Sequence, residues 1–221
     1  MTESQQVHVV AQPEVDGGWG AATASAVVRT VEELEALVGA VRSEARGAEP
    51  AQDAADEVGA RPWSPRWDEA PDRTSPDELR PVSALLDEIL PEAAADHFGY
   101  AEHSVTASFL GTPGGLRLRH DQPAARFELC GKSGAGSRSA WAGRAGRYFT
   151  QMDLTGTPGE VRRGLAAQAN RVDVAPGRHR VVLSPSAAAD MLVYLLWSAS
   201  ALDAVQGRSA FSRPGGGTLV G

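Results

Sequence analysis

The sequence holds one cysteine, Cys130, and one lysine, Lys132, among 21 basic residues. A lone thiol excludes an internal disulfide, so packing alone must hold the chain, and a reducing compartment is the natural expectation. The scarcity of lysine beside abundant arginine points to a GC-rich coding sequence and not to a binding patch. Acidic residues number 28 and set a net charge of -7. The basic footprint that nucleic acid requires is therefore missing. Residues Met1 to Val10 lack the basic and apolar stretches of a secretory signal. The most apolar run, Met191 to Trp197, falls well short of the roughly 20 residues that a bilayer span needs. These absences predict a cytoplasmic protein that engages neither nucleic acid nor membrane.

What is present is a globular composition. At 221 residues and 42% apolar content the chain is long enough for one or two domains with a buried core. Val7 to Val10 and Ser25 to Val28 read as short strands without evident neighbours. Thr30 and Glu33 then form a capping box, and Val31, Leu34, Leu37, Val38 and Val41 follow at helical spacing. From Ala45 to Arg73 the chain reads as a linker or long loop, with Trp63 and Trp67 expected to pin it onto the domain. A second helix is predicted from Ser75, with Pro76 in its first turn and Glu78 closing another capping box. Its buried face runs through Leu79, Val82, Leu85, Leu86, Ile89 and Leu90.

The periodicity then changes from helical to alternating. Ser104 to Leu110, Leu116 to Arg119, Phe127 to Gly131 and Arg138 to Tyr148 read as strands joined by turns, with a break at Asp121-Gln122-Pro123. They predict an antiparallel meander, open to water on one face. Thr157-Pro158-Gly159-Glu160 starts a third capped helix running to about Val172, and Arg178 to Leu183 reads as a strand. Ser184-Pro185 opens a last helix, apolar almost all round from Ala187 to Ala201, with Gly207 as its C-cap. Such a helix belongs in an interior and calls for cover from further chain or another subunit. The predicted fold class is α+β: an antiparallel β-meander with packed helices, followed by the start of a second β-rich domain. The expected divisions are residues 1–47 (an N-terminal α/β segment), 48–74 (linker), 75–175 (central domain) and 176–221 (an incomplete C-terminal domain).

No catalytic constellation is visible, and no residue is assigned a catalytic, cofactor-binding or metal-binding role. His8, His97, His103, His120 and His179 show no helical pairing. His103, His120 and Cys130 make a zinc site imaginable, but surface or core histidines are the simpler reading. Cys130 has no base beside it in sequence and reads as a half-buried, inert thiol. Gly131-Lys132-Ser133-Gly134 lacks the upstream glycine and following helix of a phosphate loop, so it reads as a hairpin turn. Gly215-Gly216-Gly217 reads as a loop. Arg117, Arg119 and Arg126 are expected to line a solvated face of two adjacent strands.

Three segments carry a family likeness. They are Phe98-Gly99-Tyr100-Ala101-Glu102-His103-Ser104-Val105-Thr106 continuing to Arg119, Ser139-Ala140-Trp141-Ala142-Gly143, and Gly177-Arg178 through Ser184-Pro185 to Ser212. Together they resemble the TldD/PmbA family from about Val27 onward, most specifically from Phe98 to Gly221. The resemblance implies a two-subunit assembly that degrades unfolded or leader peptides, in which the TldD-type chain carries H-E-x-x-x-H on the last apolar helix. Such a helix holds zinc through its histidines, and its glutamate works as general base on the bound water. Here the corresponding stretch, Leu192-Val193-Tyr194-Leu195-Leu196-Trp197-Ser198-Ala199, contains no His, Glu or Asp. The chain therefore resembles the PmbA (TldE) type, needing no cofactor of its own and partnering a TldD-like zinc-bearing subunit around an unfolded peptide. Strand addition at an exposed sheet edge is the expected mode of peptide capture. Full-length members are longer at both ends, so a fragment is expected. The alternative is a non-catalytic binding or scaffold protein, or a decayed copy with no peptidase role.

Overall fold

The computed structural model describes residues 2–51, 54, 63–89, 96–170 and 172–214. The chain divides into two units, Met1–Arg171 and Val172–Gly221. In the first, β1 (Val7–Ala11) and β4 (Ala22–Ala26) pair antiparallel, with His8 opposite Ser25. The two front strands thus supply each other's neighbour. Between them, β2 (Glu14–Val15) and β3 (Gly18–Trp19) form a small hairpin. It turns at Asp16 and Gly17, both at positive φ (49° and 78°), a conformation that Asp tolerates and Gly adopts freely.

Helix α1 (Val31–Gly47) starts at Thr30, whose hydroxyl accepts the Glu33 backbone N–H at 3.2 Å. Glu33 reaches back one residue further than the capping-box pattern, to the Arg29 N–H at 2.7 Å. Of the predicted apolar stripe, only Val41 is buried, joined by Ala45, while Val31 and Leu34 lie exposed.

The Ser75 capping box does not form. Residues Pro76–Leu79 make a 3-10 turn whose Ser75 side chain caps nothing, and α2 (Arg80–Ile89) follows. Pro81 lacks the N–H that would carry an α-helical ladder back through this turn, which explains the tighter start. Helix α2 buries Val82, Leu85 and Ile89 as expected; Leu90 lies outside the described residues.

The meander has three strands, not four. Strands β5 (Asp96–Gly111), β6 (Arg117–Ser133) and β7 (Arg138–Gly146) form an antiparallel sheet in that order. The β5–β6 register runs without a bulge from Asp96 opposite Lys132 to Gly111 opposite Arg117. The break expected at Asp121-Gln122-Pro123 is absent, and Pro123 sits inside β6 opposite Val105. Strand β7 reaches up β6 only as far as Ala125. Pro123 therefore lies where the far side of β6 carries no strand, and its missing N–H interrupts no ladder.

One sheet face carries Ala125, Phe127, Leu129 and Ala142 into a core closed by α2, Phe149, Leu154 and helix α3 (Gly156–Ala167). The close approach of α3 depends on Gly131, where an added Cβ would sit 2.5 Å from Val161 Cγ1. The opposite face leaves Phe98, Tyr100 and Trp141 half exposed. Alternation did predict this two-sided character, although aromatic rings occupy much of the open face.

Thr157 does not cap α3. It is fully buried inside the first turn, where its hydroxyl donates to the Leu154 carbonyl. Glu160 turns instead to Arg144 at 2.6 Å, and the helix ends at Ala167, short of Val172.

In the second unit, Arg178 to Leu183 forms no strand, and Val182 is 98% exposed. The single long helix expected there is two: α4 (Pro185–Trp197) and α5 (Ala201–Val205), separated at Ser198–Ser200. The Ser200 hydroxyl accepts the Asp203 N–H at 3.2 Å, so a new cap interrupts the apolar run. Gly207, at φ 74°, terminates α5, and the Arg208 N–H returns to the Asp203 carbonyl at 2.8 Å. Contrary to the interior position that its composition predicts, α4 buries no residue. The described part of this unit is too small to surround an all-apolar helix.

Candidate functional site

Helix α4 is the element on which the sequence likeness places chemistry. Ser184 caps it through the Ala187 N–H at 3.3 Å, and Pro185 occupies its first turn. Met191, Leu192, Tyr194, Leu196 and Trp197 are each more than 60% exposed, and Tyr194 meets Trp197 edge-on at 5.4 Å. Asp190 is the helix's only charged residue. Nothing on it from Met191 onward offers the imidazole or carboxylate that zinc requires. Among the described residues, no three His, Cys, Asp or Glu side chains converge on a point that could hold a metal ion.

The sheet keeps the imagined zinc ligands apart. His103 lies opposite Ala125, His120 opposite Ser108, and Cys130 opposite Phe98. Ten residues along β6 separate His120 from Cys130 by roughly 33 Å. His103 is instead a fixed structural group. Its Nε2 donates to the Arg147 carbonyl at 3.2 Å, its Nδ1 takes the Thr74 hydroxyl at 2.6 Å, and its ring stacks on Tyr148. His8 bonds Ser25, His120 bonds Gln122, and His179 donates to the Ala175 carbonyl. Cys130 is a free thiol of intermediate burial. Gly131, Lys132 and Ser133 end β6, and the turn follows at Gly134 to Ser137.

The three arginines do not share one solvated face. Arg126 lies on the open face beside Glu128. Arg117 and Arg119 lie on the other, where the loop around Trp67 covers them. The Arg119 side chain is only 1% exposed. Its guanidinium grips Asp121 with two bonds (2.9 and 3.0 Å) and donates to the carbonyls of Arg66, Glu69 and Ala70. It also lies over Phe109, 5.2 Å from the ring centre. The Ser64 N–H bonds the Arg117 carbonyl at 2.9 Å, so the loop replaces a strand along the part of β6 that β7 leaves free. Trp67 pins this loop edge-on against Phe109 at 5.4 Å, as expected, whereas Trp63 is 57% exposed. Arg66 ties the same loop to Glu69 and Asp72, and its hydrogen bond holds the Asp72 carboxyl below the usual carboxylate range. Trp67 was the sequence signal for this order, and the charged partners between Arg66 and Asp72 add to it.

Among the described residues, the perturbed groups sit in structural contacts of this kind, and Glu32 is lowered by a backbone N–H at the start of α1. The Arg144 guanidinium lowers the Glu160 carboxyl, and bonds from the Thr155 hydroxyl and Gly156 N–H lower Asp153. The Glu102 carboxylate, accepting the Tyr100 hydroxyl at 2.6 Å, raises that phenol. A shallow depression of about 310 Å³ lies between α2 and the Phe149–Thr155 segment, lined by Leu85, Glu88, Phe149 and Met152. Asp153 and Thr155 also line it, and the Thr155 hydroxyl donates to the Asp153 carboxylate at 2.7 Å.

The architecture is thus α+β, a three-stranded antiparallel sheet backed by helices. It is similar to the crystal structure of a candidate modulator of DNA gyrase from Bacteroides thetaiotaomicron. That similarity has a TM-score of 0.64 at 14% identity and covers 88% of this chain. The chain spans about half (47%) of that protein's length. TldE from Thermococcus kodakarensis superposes with a TM-score of 0.46 at 15% identity, over 66% of this chain and 34% of that one. No family model and no curated protein matches the sequence. No described helix is long and apolar enough to cross a membrane.

Proposed function

We propose that the chain is a TldE-type subunit, or a fragment of one, in a TldD/PmbA-type metallopeptidase assembly of the cytoplasm. In this reading it binds no metal and assists a zinc-bearing TldD-like chain in cleaving unfolded or leader peptides. The carrying observation is α4. In a chain with the fold of this class, the helix expected to bear the zinc ligands presents Leu192 to Trp197 and nothing that could coordinate a cation or activate water. The chain's contribution is then to form one wall around the substrate and exclude water from it, while the partner performs the hydrolysis. In this reading residues 75–175 form the central domain and residues 176–221 belong to a C-terminal domain.

Mixing the chain with a TldD-like subunit tests this directly. Stable association at about micromolar concentration, with peptidase activity greater in the mixture than in either chain alone, is expected. Failure to associate, or stoichiometric zinc with hydrolysis by this chain alone, overturns it.

A further inference from the structure

The free edge of β5 carries an inference independent of the peptidase reading. The other exposed sides of this sheet are covered in part. On β7, the Gln168 side-chain amide donates to the Ser139 carbonyl at 2.6 Å and accepts the Ser139 N–H at 3.3 Å, standing in for a paired strand. Arg144 takes the Gly143 carbonyl at 2.9 Å. Above β7, Ser64 and its loop cover β6. No backbone hydrogen bond among the described residues reaches the outer edge of β5. That edge is 16 residues long and contains no proline, lysine, arginine or bulge, the devices that normally keep strands from pairing.

We propose that β5 pairs antiparallel with β5 of a second copy of this chain, about a two-fold axis at Ser104. The length favours a copy over a short peptide, because few strands exceed about 10 residues and another β5 matches this one fully. The register favours it too. With the axis at Ser104, Phe98 meets Leu110, Tyr100 meets Ser108, Glu102 meets Thr106 and Asp96 meets Thr112. Phe98 and Leu110 are 54% and 55% exposed and gain cover from each other. Neither acid of β5 faces another acid, whereas an axis at Glu102 would set two carboxylates together. The pairing is isologous and joins two three-stranded sheets into one of six.

Sedimentation equilibrium of the full chain should show a reversible monomer–dimer equilibrium. Thr106→Glu places like charges opposite each other at two symmetry-related positions and should weaken the dimer on the order of tenfold. Adding Glu102→Lys to Thr106→Glu should restore it, a response that general destabilisation would not give. In a Cys130→Ala background, Ser104→Cys should form an intermolecular disulfide on oxidation and Ser108→Cys should not. A monomer at every soluble concentration overturns the proposal. So does a dimer indifferent to Thr106→Glu but lost on Leu196→Glu, which would assign association to α4. A chain that stays monomeric alone and pairs through β5 only with a peptide or a TldD-like subunit overturns it as well.

Discussion

Replacing Arg119 by alanine should release the segment from Ser64 to Ala70 and cost a large share of the first unit's stability. Arg119 makes two bonds to Asp121 and three to backbone carbonyls, with a side chain only 1% exposed. Asp121, itself 10% exposed, would keep only Arg66 at 3.4 Å. Breaking a buried charge pair from one side costs about 3–5 kcal/mol, and the partial rescue by Arg66 argues for the lower half of that range. Domains are stable by only about 5–15 kcal/mol, so the loss is severe. In urea, with a slope of about 2 kcal/mol/M, the midpoint should fall by roughly 1.5–2 M. Arg119→Lys, which keeps the charge but not the planar fork, should lose about half as much. The pair Arg119→Met with Asp121→Leu should recover much of the loss, because it removes both charges together. Trypsin should cut after Arg66 and Arg73 faster in Arg119→Ala than in the parent. A midpoint shift below about 0.5 M with unchanged cleavage would refute the view that this guanidinium holds the loop.

Gly131→Ala should destabilise by about 1–3 kcal/mol, since its Cβ would stand 2.5 Å from Val161 and 3.2 Å from Leu165. Thermal unfolding measures the loss, and Val161→Ala in the same chain should recover part of it. His103→Ala should cost about 1–3 kcal/mol in urea unfolding by stranding Thr74 and the Arg147 carbonyl, and no change would remove its structural role. Glu160, Asp153 and Asp72 are held below their ordinary values of 4.5, 3.8 and 3.8. Because their folded-state values are depressed, the stability they contribute is complete above those values and is lost as pH falls through the folded ones. Acid titration followed by circular dichroism should show this decline below about pH 4; Glu160→Gln should make it shallower, and a stability that rises on acidification would contradict the pairing.

The sheet was legible because alternation and hairpin turns are local signals: Val105, Ala107 and Phe109 alternate, and Gly134 and Gly136 turn. Its continuity was not. Pro123 reads as a break in any single sequence, and only the early end of β7 makes it harmless inside a strand. Capping pairs proved ambiguous for a similar reason. Thr30 caps as its spacing suggests, yet Thr157 is drawn into the core and Glu160 into an ion pair with Arg144, partners fixed by tertiary packing. The candidate site divides the same way. The absence of His, Glu or Asp between Leu192 and Ala199 could be read directly, but the exposure of α4 could not, since composition reports what a helix would bury and not what surrounds it. Arg119 shows the converse, an arginine that alternation placed in water and a distant loop enclosed.

The amide of Gln168 has a consequence for growth. A sheet with two open borders can add copies without limit and become a fibre; one with a single open border cannot propagate. Gln168 occupies one border at Ser139, where an incoming strand would have to displace its amide before pairing. One glutamine at the end of α3 thus works against endless growth at that border.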